Sequence, residues 1–146
     1  MKKTITIIIG IISLGFFIVI VKNNFFDQSN NSDIEKAFDA YDKKNYNEAI
    51  LYFQKVDIQE NKIITSYLGD AHLQVGEYVP ANKYLLKAYQ QKTDEPQYFN
   101  NTVNNLALSY LALKDTLNAL KYFKEGAELG NPSSIKNLEL LTTKMK

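Results

Sequence analysis

One short pattern recurs three times along this chain and constrains its fold more than any single residue. Asn45-Tyr46-Asn47-Glu48-Ala49-Ile50 precedes Tyr52-Phe53, Glu77-Tyr78-Val79-Pro80-Ala81-Asn82 precedes Tyr84-Leu85, and Asp115-Thr116-Leu117-Asn118-Ala119-Leu120 precedes Tyr122-Phe123. Each copy places one alanine four positions before a large apolar residue (Phe53, Leu85, Phe123), so both stand on one face of a helix. A small residue lets a second helix backbone come close, and the large one fills the space beside it. A chain that repeats this device builds a stack of like helix pairs.

The alanines are separated by 32 and then 38 residues. Upstream, Leu68-Gly69 with His72 matches Leu106-Ala107 with Tyr110, and Lys36-Ala37 with Ala40 is a weaker copy. Val56, Ala88 and Gly126 follow three positions after each large residue. A period near ~34 residues belongs to helix–turn–helix repeats, and the chain from about Ser32 to Gly130 resembles the tetratricopeptide (TPR) family. The resemblance implies an all-α fold, a right-handed helix-hairpin solenoid of three repeats closed by a C-terminal capping helix. The repeats are expected at 33–59, 60–92 and 96–130, with the cap at 131–146.

Local signals agree. The turns within pairs fall at Lys44-Asn45, Gly76-Glu77 and Lys114-Asp115; Gly76 suits a left-handed helix stop, which the lysines would adopt only with strain. Asn45 with Glu48 reads as a capping-box variant, Asp115 as a cap, and Pro80 as a first-turn proline. The longer second step falls around Lys92 to Pro96 and either lengthens a loop or extends a helix by a turn. Leu129-Gly130-Asn131-Pro132 stops one helix and starts another, whose Ile135, Leu138 and Leu141 are expected to cover the open end of the stack. Seven helices and no strands are expected after the N-terminal segment.

That segment, residues 5–21, reads ITIIIGIISLGFFIVIV without a charge. As a helix it would be ~26 Å long, near the thickness of a bilayer's hydrocarbon core. Lys2 and Lys3 precede it, predicting a cytoplasmic N-terminus with the repeats outside, periplasmic or extracellular, although Lys22 weakens the asymmetry. No small-residue cleavage site follows and no Cys is available for acylation, so residues 1–22 read as an uncleaved signal-anchor helix and 23–32 as a polar linker. Secretion after cleavage is the alternative. The anchor lacks a GxxxG dimerisation spacing.

Composition narrows the chemistry. All 17 basic residues are lysine and stand against 16 acidic ones, which argues against nucleic acid as the partner. There is no Cys, hence no disulfide framework or thiol nucleophile, and the single histidine, His72, sits at a packing position of the repeat. No phosphate-loop, zinc-protease or nucleophile-elbow motif occurs, so neither an enzyme nor a cofactor or metal site is expected.

What remains is a binding surface. In tetratricopeptide proteins the first helix of each pair lines a concave groove. Carried over by position, the candidates are Phe38, Tyr41 and Asp42; Ser66, Tyr67, Asp70 and Gln74; and Asn101, Asn104, Asn105 and Leu108. Amide side chains can both donate to and accept from a peptide backbone, and aromatic ones supply apolar contact. The branch of the family that clamps a C-terminal carboxylate uses lysine, asparagine and arginine in the groove; here Ile34, Phe38, Tyr67, Asn101 and Asn105 stand in those places, without a lysine, so such clamping is not expected. The resemblance therefore implies a protein or peptide partner, neutral or basic, and a role as scaffold, adaptor or chaperone for envelope or secreted proteins. A self-assembling homo-oligomer, its groove filled by a neighbour's Lys144-Met145-Lys146 tail, is the alternative.

Overall fold

The computed structural model describes residues 32–56, 61–92 and 95–144; the apolar segment 5–21 lies outside them. The described residues form seven helices and no strand. They are α1 (32–42), α2 (Tyr46–Phe53), α3 (Lys62–Gln74), α4 (Tyr78–Gln91), α5 (Pro96–Ala112), α6 (Thr116–Glu128) and α7 (Pro132–Lys144). From α2 onward each helix packs on the next, and α3 also packs on α5; rings of α1 meet rings of α2 and α3, so the first helices of successive pairs lie side by side. None of the described helices is long and apolar enough to cross a membrane.

The recurring alanines and large apolar residues form the interior. Ala49, Ala81, Ala107 and Ala119 are fully buried, as are Phe53, Leu85 and Phe123. Gly69 shows why the small residues are needed. A Cβ added there would stand 2.7 Å from Leu85 Cγ and 3.0 Å from the Leu85 backbone nitrogen, so α3 and α4 meet almost backbone to backbone. The same device docks α7: a Cβ on Gly126 would stand 2.8 Å from Ser134 Cβ. Ser134 is buried whereas Ile135 is exposed, which corrects the expected face of α7. The face that packs runs Ser134, Leu138, Leu141; the neighbouring Ile135 is turned about 100° away, as one helical residue step requires.

Four helices end in one and the same way. Lys44, Gly76, Lys114 and Gly130 have φ of 60°, 82°, 65° and 81°. In each case two backbone N–H groups fold back, as Gly76 to Leu73 O at 3.2 Å and Glu77 to His72 O at 2.9 Å. This is the Schellman arrangement, which satisfies carbonyls a helix end leaves open. The two lysines accept a left-handed backbone at about 1 kcal/mol each. At helix starts, the Asn118 backbone N–H donates to Asp115 Oδ1 at 3.1 Å and that of Ser134 to Asn131 Oδ1 at 3.0 Å. Asn45 departs from the expected capping box: its amide donates to Glu48 Oε2 at 2.6 Å and its side chain caps no backbone N–H.

The long second repeat step goes into helix: α4 has 14 residues where α2 has 8, and α5 gains a turn. α5 has 17 residues where α3 has 13, and the four added residues are its first turn, Pro96 to Phe99. Repeat equivalence extends to aromatic stacking. His72 lies on Tyr84 with centroids 5.4 Å apart and planes within 6°, and Tyr110 lies on Tyr122 at 5.5 Å and 5°. His72 is a packing residue, with Nδ1 held 2.6 Å from Glu77 Oε2.

Gly69→Ala should therefore destabilise the fold by about 1–3 kcal/mol, overpacking outweighing the better helix propensity of alanine. Denaturant unfolding followed by circular dichroism reads this directly, and an unchanged midpoint would contradict the close approach of α3 and α4.

Candidate functional site

The side-by-side first helices leave a cavity of about 500 Å³ open to solvent. α1 contributes Tyr41; α3 contributes Ser66, Tyr67, Asp70 and Gln74, which share a helix face by their spacing. α5 contributes Tyr98, Asn101, Asn104 and Asn105, and the start of α7, with Asn131, Pro132 and Ser133, closes one end. Eight sequence-level candidates thus come together around one space. Phe38, Asp42 and Leu108 do not line it. The Phe38 ring meets Phe53 and Tyr67 edge-on at 5.3 and 4.9 Å, and Leu108 packs against the second core cluster, so both serve packing. Asp42 is exposed outside the cavity.

Two contributions were not anticipated. Tyr98 belongs to the turn by which α5 exceeds α3, and its ring lies 6.1 Å from that of Tyr67. The residues of α7 enter because the capping helix, docked at Gly126, presents its first turn to the groove. The clustering of turn signals at Lys92 to Pro96 was the one hint of the first. The second had no local signal.

The floor is a chain of hydrogen bonds that ends on one carboxylate. Ser134 Oγ donates to Asn104 Oδ1 at 3.1 Å, Asn104 Nδ2 to Asn105 Oδ1 at 3.2 Å, and Asn105 Nδ2 to Asp70 Oδ1 at 3.0 Å. Gln74 Nε2 donates to Asp70 Oδ1 at 3.2 Å, and the Tyr41 hydroxyl donates to Asp70 Oδ2. Asp70 is 8% exposed, and these donors, from α1, α3 and α5, are all neutral. Polar groups so buried are tolerable only when bonded, and a linked series polarises its members in one direction. Nearby, Ser66 Oγ lies 2.6 Å from Thr102 Oγ1, which itself donates to Tyr98 O at 2.8 Å, so Ser66 is the donor.

Two groove tyrosines, Tyr41 and Tyr67, are held neutral. Burial, then the bond to Asp70 and its charge, push the Tyr41 hydroxyl well above its usual range. Burial and the neighbouring Tyr98 raise Tyr67, with Asp42 and Asp70 adding to the shift. On the opposite side of the stack, burial and Glu125 push Tyr89 up to about 12. Among the described residues no group of three or more His, Asp or Glu is placed to hold a metal ion.

The sign of the pH dependence follows. A tyrosine whose folded pKa exceeds its unfolded value near ~10 keeps its proton better when folded, so its contribution is complete below ~10 and is lost as pH rises toward the folded value. The protein should lose stability above pH ~10, and Tyr41→Phe should flatten that loss. Unfolding midpoints measured across the alkaline range, alongside ultraviolet titration of tyrosinate, provide the check; parallel curves for the two proteins would refute it.

No protein-family model matches the sequence, and no curated protein resembles it closely enough to count as a relative. Solved structures do match. The first TPR of Spaghetti (RPAP3), bound to the HSP90 peptide SRMEEVD, superposes with a TM-score of 0.69 at 16% identity, over 81% of this chain and 94% of that one. The TPR domain of Arabidopsis OM64 gives 0.68 at 17% identity, over 80% and 97%. The TPR2AB domain of yeast Sti1, in complex with pHSP90, gives 0.65 at 14% identity, over 84% and 48%. The fold of this chain is that of tetratricopeptide repeats.

Proposed function

We propose that this chain is a protein-interaction module that takes an extended, neutral or basic segment of a partner protein into the groove between α1, α3 and α5. The observation that carries the reading is the cavity itself, about 500 Å³, open, and lined by amides, hydroxyls and tyrosines. Such groups match a peptide, whose backbone offers one donor and one acceptor at almost every residue. Two structural neighbours are bound to HSP90 or its peptide, which fits a groove of this kind as a peptide receptor. The chemistry here differs from a receptor for an acidic tail. No lysine lines the cavity, and its one charge is the carboxylate of Asp70. An acidic C-terminus would be repelled where a neutral or basic segment is accepted.

We further propose that residues 5–21 anchor the chain in a membrane with the repeats outside. The module then serves as scaffold, adaptor or chaperone for envelope or secreted proteins. The uncharged length of that segment and the lysines before it support this placement.

A photo-crosslinker at the exposed Asn101 should capture the partner in cells. Tyr67→Ala combined with Asn105→Ala should abolish that capture with helicity retained; undiminished capture would remove the groove from the mechanism. Protease added outside spheroplasts should digest the repeats, and full protection would reverse the orientation.

A further inference from the structure

The carboxylate of Asp70 poses a chemical question that its hydrogen bonds do not answer. These partners do not require a charge: a neutral amide here would accept from Gln74 and Asn105 on its one oxygen and donate its NH2 to the Tyr41 oxygen, at far less cost to bury. Here a charged group, 8% exposed, lines the cavity with only neutral partners, and no lysine shares that lining. An uncompensated charge at the floor of an open groove is a recognition element in search of its counter-ion.

We propose that the groove recognises a lysine side chain of the bound segment, its ammonium seated on Asp70 Oδ2 and its stem along Tyr67 and Tyr98. The inference rests on the peptide-binding reading of the same groove. Three features select lysine. Two donors already occupy Oδ1 and one occupies Oδ2, so the carboxylate has no free pair of lone pairs for the two-pronged contact of a guanidinium. An ammonium is a compact point charge with three donors and needs one such contact, with tyrosine oxygens beside it for the rest. The tyrosine rings supply negative faces that attract a cation partly stripped of water. Asp42, outside the cavity, adds a second negative charge close enough to act on Tyr67.

The test uses the full chain in non-ionic detergent and three small probes, the acetyl methylamides of lysine, arginine and norleucine, followed by nuclear magnetic resonance. The lysine probe should shift the side-chain amides of Gln74 and Asn105 saturably. The arginine probe should bind about tenfold more weakly and the norleucine probe should leave these signals unmoved. Asp70→Asn should abolish the response. Because that change also touches the floor network, Tyr67→Leu gives a second arm: it leaves the donors to Asp70 in place and should weaken the lysine probe severalfold. Equal responses to lysine and norleucine, or a lysine response that survives both substitutions, would overturn the assignment. Capture from Asn101 that persists while the lysine response is missing would leave the groove standing and remove only the ammonium. A lysine response without any capture would do the reverse.

Discussion

Everything in this fold depends on how closely two helices of a pair can approach. At Gly69 the α3 backbone lies so near Leu85 that even a methyl group would collide with its side chain and crowd its main-chain nitrogen. The fully buried alanines at 49, 81, 107 and 119 extend the same condition along the stack. Close approach on that side fixes the angle at which successive pairs lie, because packed interiors do not deform continuously. The spacing of α1, α3 and α5 on the other side is then set, and with it the width of the cavity. The groove is therefore a consequence of small residues that never touch it.

The polar floor works within that frame. Each donor in the series from Ser134 to Asp70 sits on a different helix from its acceptor, save the step between Asn104 and Asn105. Tyr41 brings α1 into the same network. Bonds of this kind contribute modestly to net stability, about 1 kcal/mol apiece, and more where the acceptor is charged. Their larger effect is on geometry, since a buried acceptor left unmet is costly and holds its donors in register. The side chains that line the cavity are thus held ready before any ligand arrives, which lowers the ordering cost of binding.

The sequence made the repeat legible because packing positions obey a period. Ala81 and Leu85 could be assigned from Ala49 and Phe53 alone, and the left-handed turns at Lys44 and Lys114 from Gly76. The groove was less legible because one repeat position does different work in different surroundings. Phe38, Asp70 and Leu108 are equivalent by alignment, yet only Asp70 lines the cavity. Phe38 reaches across to Tyr67 and packs edge-on; Leu108 joins the apolar cluster below. An apolar side chain at this position gains by turning inward, and a carboxylate does not. On α7 Leu138 and Leu141 pack as expected but Ser134 takes the place expected of Ile135, since the close contact with Gly126 needs a small residue.

The departures from regularity are what make the groove particular. A perfect repeat would give α5 the length of α3, and the cavity would then lack Tyr98. The added turn places that ring beside Tyr67, so the wall is aromatic where the repeat period alone would leave it open. At the other end, Gly126 admits Ser134, which docks α7 and sets Asn131 and Ser133 at the rim. One insertion and one glycine thereby convert a general repeat surface into a bounded site. Its floor keeps a negative charge within reach of solvent but bonded only to neutral groups. The regular residues decide that a groove exists, and the irregular ones decide what chemistry it can recognise.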